Sequence, residues 1–369
     1  MKLFKNVKTI DGKFINIFVK NNLIYTSLPK NSVVDEFEEI KIPNDIYVSY
    51  GWIDSHVHCD SNNKLYYANI DDIGYKQGVT TIIDCGSVGK ENIGQLVEQI
   101  KKSKTNTKII LNISKKGIYE QSELKNLNDI DIDVEEKYAD YIVGYKARMS
   151  ASVTLDKGIE PLIKFNKLRN KKYESKPLMV HIGNEPPKLK KILELLNKGD
   201  IITHIFNNKN NSVLNKNDEI TDEIKLAIKK GIILDLGHGS ESFDFNCAKK
   251  SFDLGLKLDT ISSDIYHENA SNGKVKSLAN VMSKMRSVGY EWTEIIDKVT
   301  KKPAEIFNFE KMGSIRENNF ANLTFFKIEN SNEIEKDSKN SQIIIKERII
   351  PISCLINGEY CEIQNEKTV

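Results

Sequence analysis

The feature that most limits what this chain can become is an alternation running through its middle. Short apolar segments alternate there with amphipathic ones, the pattern of a parallel sheet covered by helices. The segments Tyr47–Ile53, Gly78–Cys85, Lys108–Ser114, Tyr141–Lys146, Leu178–His181, Ile201–His204, Ile232–Leu236 and Thr260–Asp264 read as strands. Helical spacing fills the gaps between them. Ile93, Leu96, Val97 and Ile100 recur at i, i+3, i+4 and i+7, and Leu189, Ile192, Leu193 and Leu196 repeat the pattern. Leu278, Val281, Met282 and Met285 do so again, and Gly78, Gly199, Gly231 and Gly289 stand where helices should stop. Such a series over roughly 250 residues has the size of a (β/α)8 TIM barrel, an α/β fold.

Both ends of the chain read differently. Lys2–Ile10 and Phe14–Val19 flank Asp11-Gly12, a two-residue hairpin signal, and Leu23–Thr26 follows a turn at Asn21-Asn22. Asn322–Ile328, Ile343–Ile350 and Ile352–Ile363 are also β-rich, the last with a hairpin turn at Asn357-Gly358. The polar stretch Glu329–Ser341 reads as a surface loop. The expected organisation is a barrel over residues 47–310 and one small β-sandwich domain formed by residues 1–46 and 311–369.

Composition narrows the partners. Hydrophobic residues make up 39% and charged residues 29%, an ordinary soluble balance. With 54 basic and 52 acidic residues, and the lysines scattered, no footprint for nucleic acid emerges. No apolar run approaches the roughly 20 residues a membrane helix needs, and the N-terminus lacks the apolar core of a signal peptide. The five cysteines form no Cys-x-x-Cys pair, which argues against a disulfide framework or a zinc knuckle. A cytoplasmic protein acting on a small molecule is expected. Its oligomeric state, a homo-oligomer included, is left open.

Of the six histidines, four end expected strands. His56 and His58 close the first, His181 the fifth and His204 the sixth; Lys146 ends the fourth and Asp264 the eighth. The C-terminal rim of a barrel is where active sites are built, so these side chains could converge. Residues two apart on a strand share a face, so His56 and His58 could grip one metal, and imidazole with carboxylate suits Zn²⁺. Arg148 shares a face with Lys146, where a guanidinium could bind a substrate carboxylate or pair with a neighbouring acid. His238 could line the pocket or make a structural hydrogen bond; His267 could face substrate or solvent. Cys59 and Cys85 read as packing, and Gly86, Gly89, Gly183 and Gly239 as turn residues.

The order His-x-His, Lys, His, His, Asp resembles the binuclear branch of the amidohydrolase superfamily. The segments Gly78-Val-Thr-Thr-Ile-Ile-Asp-Cys-Gly-Ser, Tyr145-Lys-Ala-Arg-Met-Ser and Asp235-Leu-Gly-His-Gly are similar to its dihydroorotase-like amidohydrolase/deacetylase group. Phe320-Ala-Asn-Leu-Thr-Phe-Phe is similar to the strand that re-enters its β-sandwich. The resemblance implies two divalent metal ions, Zn²⁺ being the expected pair. His56, His58 and Asp264 would hold one, His181 and His204 the other, and a CO2-derived carbamate on Lys146 would bridge them. It also implies hydrolysis of an amide or ester bond, with Asp264 moving the proton from water to the leaving group. Deacylation of an N-acyl amino acid or an acylated 2-hydroxy acid fits. A cyclic amidase of dihydroorotase or hydantoinase type is the alternative, but true dihydroorotases usually carry an arginine where this chain has Asp60. A mononuclear deaminase would lack Lys146, and a silent structural homologue would be expected to have lost ligands.

Overall fold

The computed structural model describes residues 1–172 and 176–364. Its centre is a parallel sheet of seven strands: Trp52–Val57, Val79–Cys85, Asn106–Asn112, Ile142–Met149, Leu178–Ile182, Ile201–Thr203 and Ile233–Asp235. Each strand pairs with the next in the chain, as helical crossovers permit. Val79–Cys85 and Trp52–Val57 are buried along their whole length, which is why they read as apolar runs rather than as alternating patterns. Helices such as Ile93–Ile100 and Leu278–Val288 cover the sheet and turn their apolar stripes inward. Asp222–Lys230 shows how their ends are set: Thr221 accepts a hydrogen bond from the Ile224 amide, with Asp222 and Glu223 in the first turn.

The eighth segment closes the barrel without forming a regular strand. It bridges Asp235 through Thr260 and Val57 through Ile265. The Leu236 amide donates to the Thr260 carbonyl at 3.1 Å, and the Asp264 amide donates to the His56 carbonyl at 2.7 Å. Asp264 itself has φ +52°, left-handed backbone that interrupts an extended segment.

Residues from both ends build the second sheet. Its order is Glu359–Glu362, Gln342–Ile356, Leu323–Lys336, Tyr47–Tyr50, Lys2–Thr9, Phe14–Lys20 and Leu23–Tyr25, with Glu38–Glu39 alongside Lys2–Thr9. This is the β-sandwich domain beside the barrel. The strand expected at Tyr47–Ile53 therefore divides at Gly51. Tyr47–Tyr50 pairs with Leu323–Lys336 in the terminal sheet, and Trp52 begins the barrel. Alternation along Leu323–Lys336 joins the two bodies. Leu323 and Phe325 enter the small domain's core, while Phe326 packs on Trp52 with ring centroids 5.6 Å apart.

The expected loop at Glu329–Ser341 is largely strand. Leu323–Lys336 and Gln342–Ile356 pair out to Lys336 opposite Gln342, forming a long ribbon laid on helix Leu278–Val288. Its residues Glu329–Glu333 alternate little because a ribbon with a wet outer face needs no apolar period there. Among the described residues no helix is long and apolar enough to cross a membrane.

Candidate metal centre

The site assembles where the strand ends meet. His56 Nε2 lies 3.4 Å from Asp264 Oδ1, and His58 Nε2 lies 3.2 Å from the same oxygen. His204 packs its ring 5.3 Å from that of His56 and 4.3 Å from that of His181. Donor atoms of His56, His204 and Asp264 all fall within 4.8 Å of one another, close enough to share one cation. Lys146 Nζ approaches His56 Nε2 at 2.9 Å. The six strand-end residues singled out in the sequence thus line a single cavity of about 190 Å³.

Three of the four histidines are oriented from behind. Thr203 Oγ1 donates to Asp235 Oδ2 at 2.7 Å and is left to accept from His56 Nδ1 at 3.1 Å. His204 Nδ1 donates to the Gly237 carbonyl at 2.6 Å, and His58 Nδ1 meets Ser87 Oγ at 2.9 Å. The Nε2 lone pairs of His56 and His204 are thereby aimed into the cavity, the arrangement a metal-ligating imidazole requires. Burial, with Lys146 nearby, holds His56 well below its usual pKa, and burial brings His204 down to about 4. Both are neutral imidazoles, the form that ligates. Burial works against the Asp264 charge, but the facing His56, His58 and His204 outweigh it and hold the carboxyl below its usual range.

Two backbone outliers fall on this site. His204 has φ +70° and Asp264 φ +52°, values that cost a non-glycine residue energy and persist where surrounding structure imposes them. Gly239 shows how closely the shell is built, since a Cβ there would stand 2.6 Å from Asp264 Oδ2. A Cβ on Gly86 would stand 2.8 Å from Lys146 Cβ and Cγ. These two glycines make room for functional side chains as well as turns.

Lys146 is 1% exposed. Its partners among the described residues are His56 Nε2, Cys85 Sγ at 3.0 Å and Met179 Sδ at 3.7 Å, none of them a carboxylate. A buried ammonium so surrounded is costly. Cys85, fully buried and pushed up to about 12 by burial, offers it no thiolate.

The outer wall differs from expectation. Arg148 lines the cavity, but its Nε and Nη2 both go to Glu123, with Nε–Oε1 at 2.7 Å. The neighbouring-acid alternative is what the structure contains. His238 is buried away from the cavity, stacked on Phe243 at 4.2 Å with Nδ1 on the Gly239 carbonyl. His267 is exposed and stacks on Tyr67 at 4.9 Å, also outside the cavity. The wall is made instead by residues that sequence patterns did not reveal: Tyr66, Tyr266, Asn184, Lys209 and Ser240. Tyr66 and Tyr266 meet edge to face at 4.8 Å.

Imidazoles, one carboxylate and a buried lysine at the C-terminal mouth of a barrel make a site suited to divalent metal ions. Residues 47–346 match the Amidohydrolase family, and the chain belongs to it. It is a hydrolase acting on C–N bonds. A deacetylase of Enterococcus faecalis is 42% identical over 365 residues, covering 97% of this chain and 98% of the relative. A deacetylase of Agrobacterium fabrum is 32% identical over 321 residues, covering 85% of this chain and 78% of that one. A solved structure described as an adenine deaminase superposes with TM-score 0.93 at 41% identity, over 98% of this chain and 99% of the other. One described as a dihydroorotase gives 0.85 at 28%, over 98% of each.

Proposed function

We propose that the protein is a deacylase that removes the acyl group from a small carbonyl compound such as an N-acyl amino acid or an acylated 2-hydroxy acid. His56, His58 and Asp264 would hold one divalent cation and His181 and His204 a second, with a carboxylated Lys146 supplying further oxygen ligands. The observation that carries this reading is the surroundings of Lys146: a buried amine with no carboxylate among its partners, facing inward-aimed imidazoles. Carboxylation would turn that unpaired cation into an anion with two ligand oxygens. The deacetylase relatives support the choice of bond.

Imidazole and carboxylate donors fit Zn²⁺, and such ions lower a water's pKa and polarise a carbonyl when bound. The chain's own residues do the rest. Asp264, ionised and held against His56 and His58, accepts the water's proton and returns it to the leaving nitrogen or oxygen. Tyr66 and Tyr266 wall off one side and limit the size of what enters. A dihydroorotase-type reading is disfavoured at Asp60, which is fully buried and accepts from Gln99 Nε2 at 2.8 Å.

The test is a metal count on purified protein together with a screen of N-acyl amino acids, small acyl esters, cyclic amides and adenine. Two ions per chain and turnover of an acyl compound are expected. One ion, or turnover confined to adenine or a cyclic amide, would overturn the reading.

A further inference from the structure

Three cationic side chains line the cavity, and they are not equivalent. Lys146 sits among the histidines. Arg148 has spent its fork on Glu123 and gives Nη2 also to the Gln121 carbonyl at 3.1 Å. Lys209 differs from both. Among the described residues its Nζ makes no ion pair or hydrogen bond, while its backbone amide donates to Asn207 Oδ1 at 2.9 Å.

That backbone is fixed. Asn207 is fully buried and donates to the His204 carbonyl at 2.8 Å and to the Asn211 carbonyl at 3.3 Å. The turn after the sixth barrel strand therefore ties the position of Lys209 to that of His204. Its stem runs past Gly183 beside His181, with Cδ 3.5 Å from where a Gly183 Cβ would stand. Burial lowers the pKa of its ammonium, while Glu241 and Asp264 pull the other way. The result is a half-buried, unpaired cation on a rigid turn, above the imidazoles.

We infer that Lys209 is the residue that binds the substrate's carboxylate, the role that sequence alone suggested for Arg148. The inference rests on the deacylase reading and adds the residue that recognises the carboxylate its substrates share. A carboxylate gains an unpaired donor at Lys209, whereas at Arg148 it would have to displace Glu123 from a bidentate pair.

The test uses metal-loaded full-length protein and matched probes, N-acetylalanine with N-acetylalaninamide and 2-acetoxypropanoate with its carboxamide. Binding is measured by calorimetry and turnover separately, for wild type, Lys209→Met and Lys209→Arg. Wild type should prefer each carboxylate over its neutral twin by about 10- to 100-fold, the range of one charge-assisted bond. Lys209→Met should erase that preference through KM rather than kcat, with metal content unchanged, and Lys209→Arg should keep part of it. No carboxylate preference in wild type, or a preference that survives Lys209→Met, overturns the inference. A Lys209-dependent preference without turnover of either probe would leave the anion site standing and count against the deacylase reading instead.

Discussion

Among the described residues two lysines are fully buried, and their surroundings could hardly differ more. Lys284, on helix Leu278–Val288, lies where the long ribbon crosses the barrel and is 0% exposed. It donates to the Lys274 carbonyl at 2.6 Å and the Lys336 carbonyl at 3.1 Å, and stands 3.5 Å from Glu335 Oε2. Lys146, at the barrel mouth, meets an imidazole and two sulfurs. The first lysine has carbonyls and a carboxylate to receive its protons, so it serves as a fastener. The second lacks them, which fits the carboxylated form proposed for it. Burial therefore does not mark the functional lysine; the partners do.

The strongest way to break this contrast is to remove each amine. Lys146→Ala should lose most bound metal and drop turnover to background, and small carboxylates should restore part of both, while the fold survives. Elemental analysis beside a kinetic assay checks this, and two ions with full activity in the variant would end the bridging role. Next in size, Asp264→Asn should lower kcat by about 10²- to 10⁴-fold, the range for losing a positioned proton carrier. Metal content measured on the same sample separates proton transfer from ligand loss.

Arg148 sharpens the comparison from the other side. Its partner Glu123 is only 4% exposed, so Arg148→Met would strand a buried carboxylate. A stability loss of about 3–5 kcal/mol is expected, read by chemical unfolding, with much of it recovered in the Arg148→Met, Glu123→Gln double variant. A variant of normal stability that selectively loses acidic substrates would return Arg148 to a binding role.

What could be read in advance follows the same physical divide. Strand ends were legible because the ends of parallel barrel strands gather at one rim, and His56, His58, Lys146, His181, His204 and Asp264 line one cavity there. Loop-borne residues were not. Tyr66, Tyr266 and Lys209 sit on irregular backbone with no period to reveal their direction, although Lys209 follows His204 through an Asn-rich turn that hinted at a fixed loop. Glu123 was hidden in the same way, since the segment from 115 to 126 forms neither helix nor strand, and without it Arg148 looked free. The ribbon was missed for the opposite reason. Its polar residues look like a loop because the partner of its buried Glu335 lies on a helix far away in sequence.

The smallest effect expected is a difference in how stability depends on pH, and it belongs to Lys284. Burial brings its pKa down to about 8, despite Glu335 opposing the shift, from the 10.5 of a free lysine. Below about 8 the folded protein carries the full cost of a buried ammonium. Between about 8 and 10.5 the unfolded chain keeps a proton that the folded one has released, so stability rises with pH across that window, by at most about 3 kcal/mol. Lys284→Met removes the group that titrates. It should cost about 1–3 kcal/mol at pH 7, because two buried carbonyls lose their donor while Glu335 keeps Lys276 at 2.6 Å. Between pH 7 and pH 10 the gap between wild type and variant should then widen, since tyrosines ionising in the unfolded state affect both alike and cancel. Urea unfolding of the two proteins at both pH values measures that gap. A constant or narrowing gap would mean that the Lys284 ammonium is not strained by burial, which would set it still further apart from Lys146.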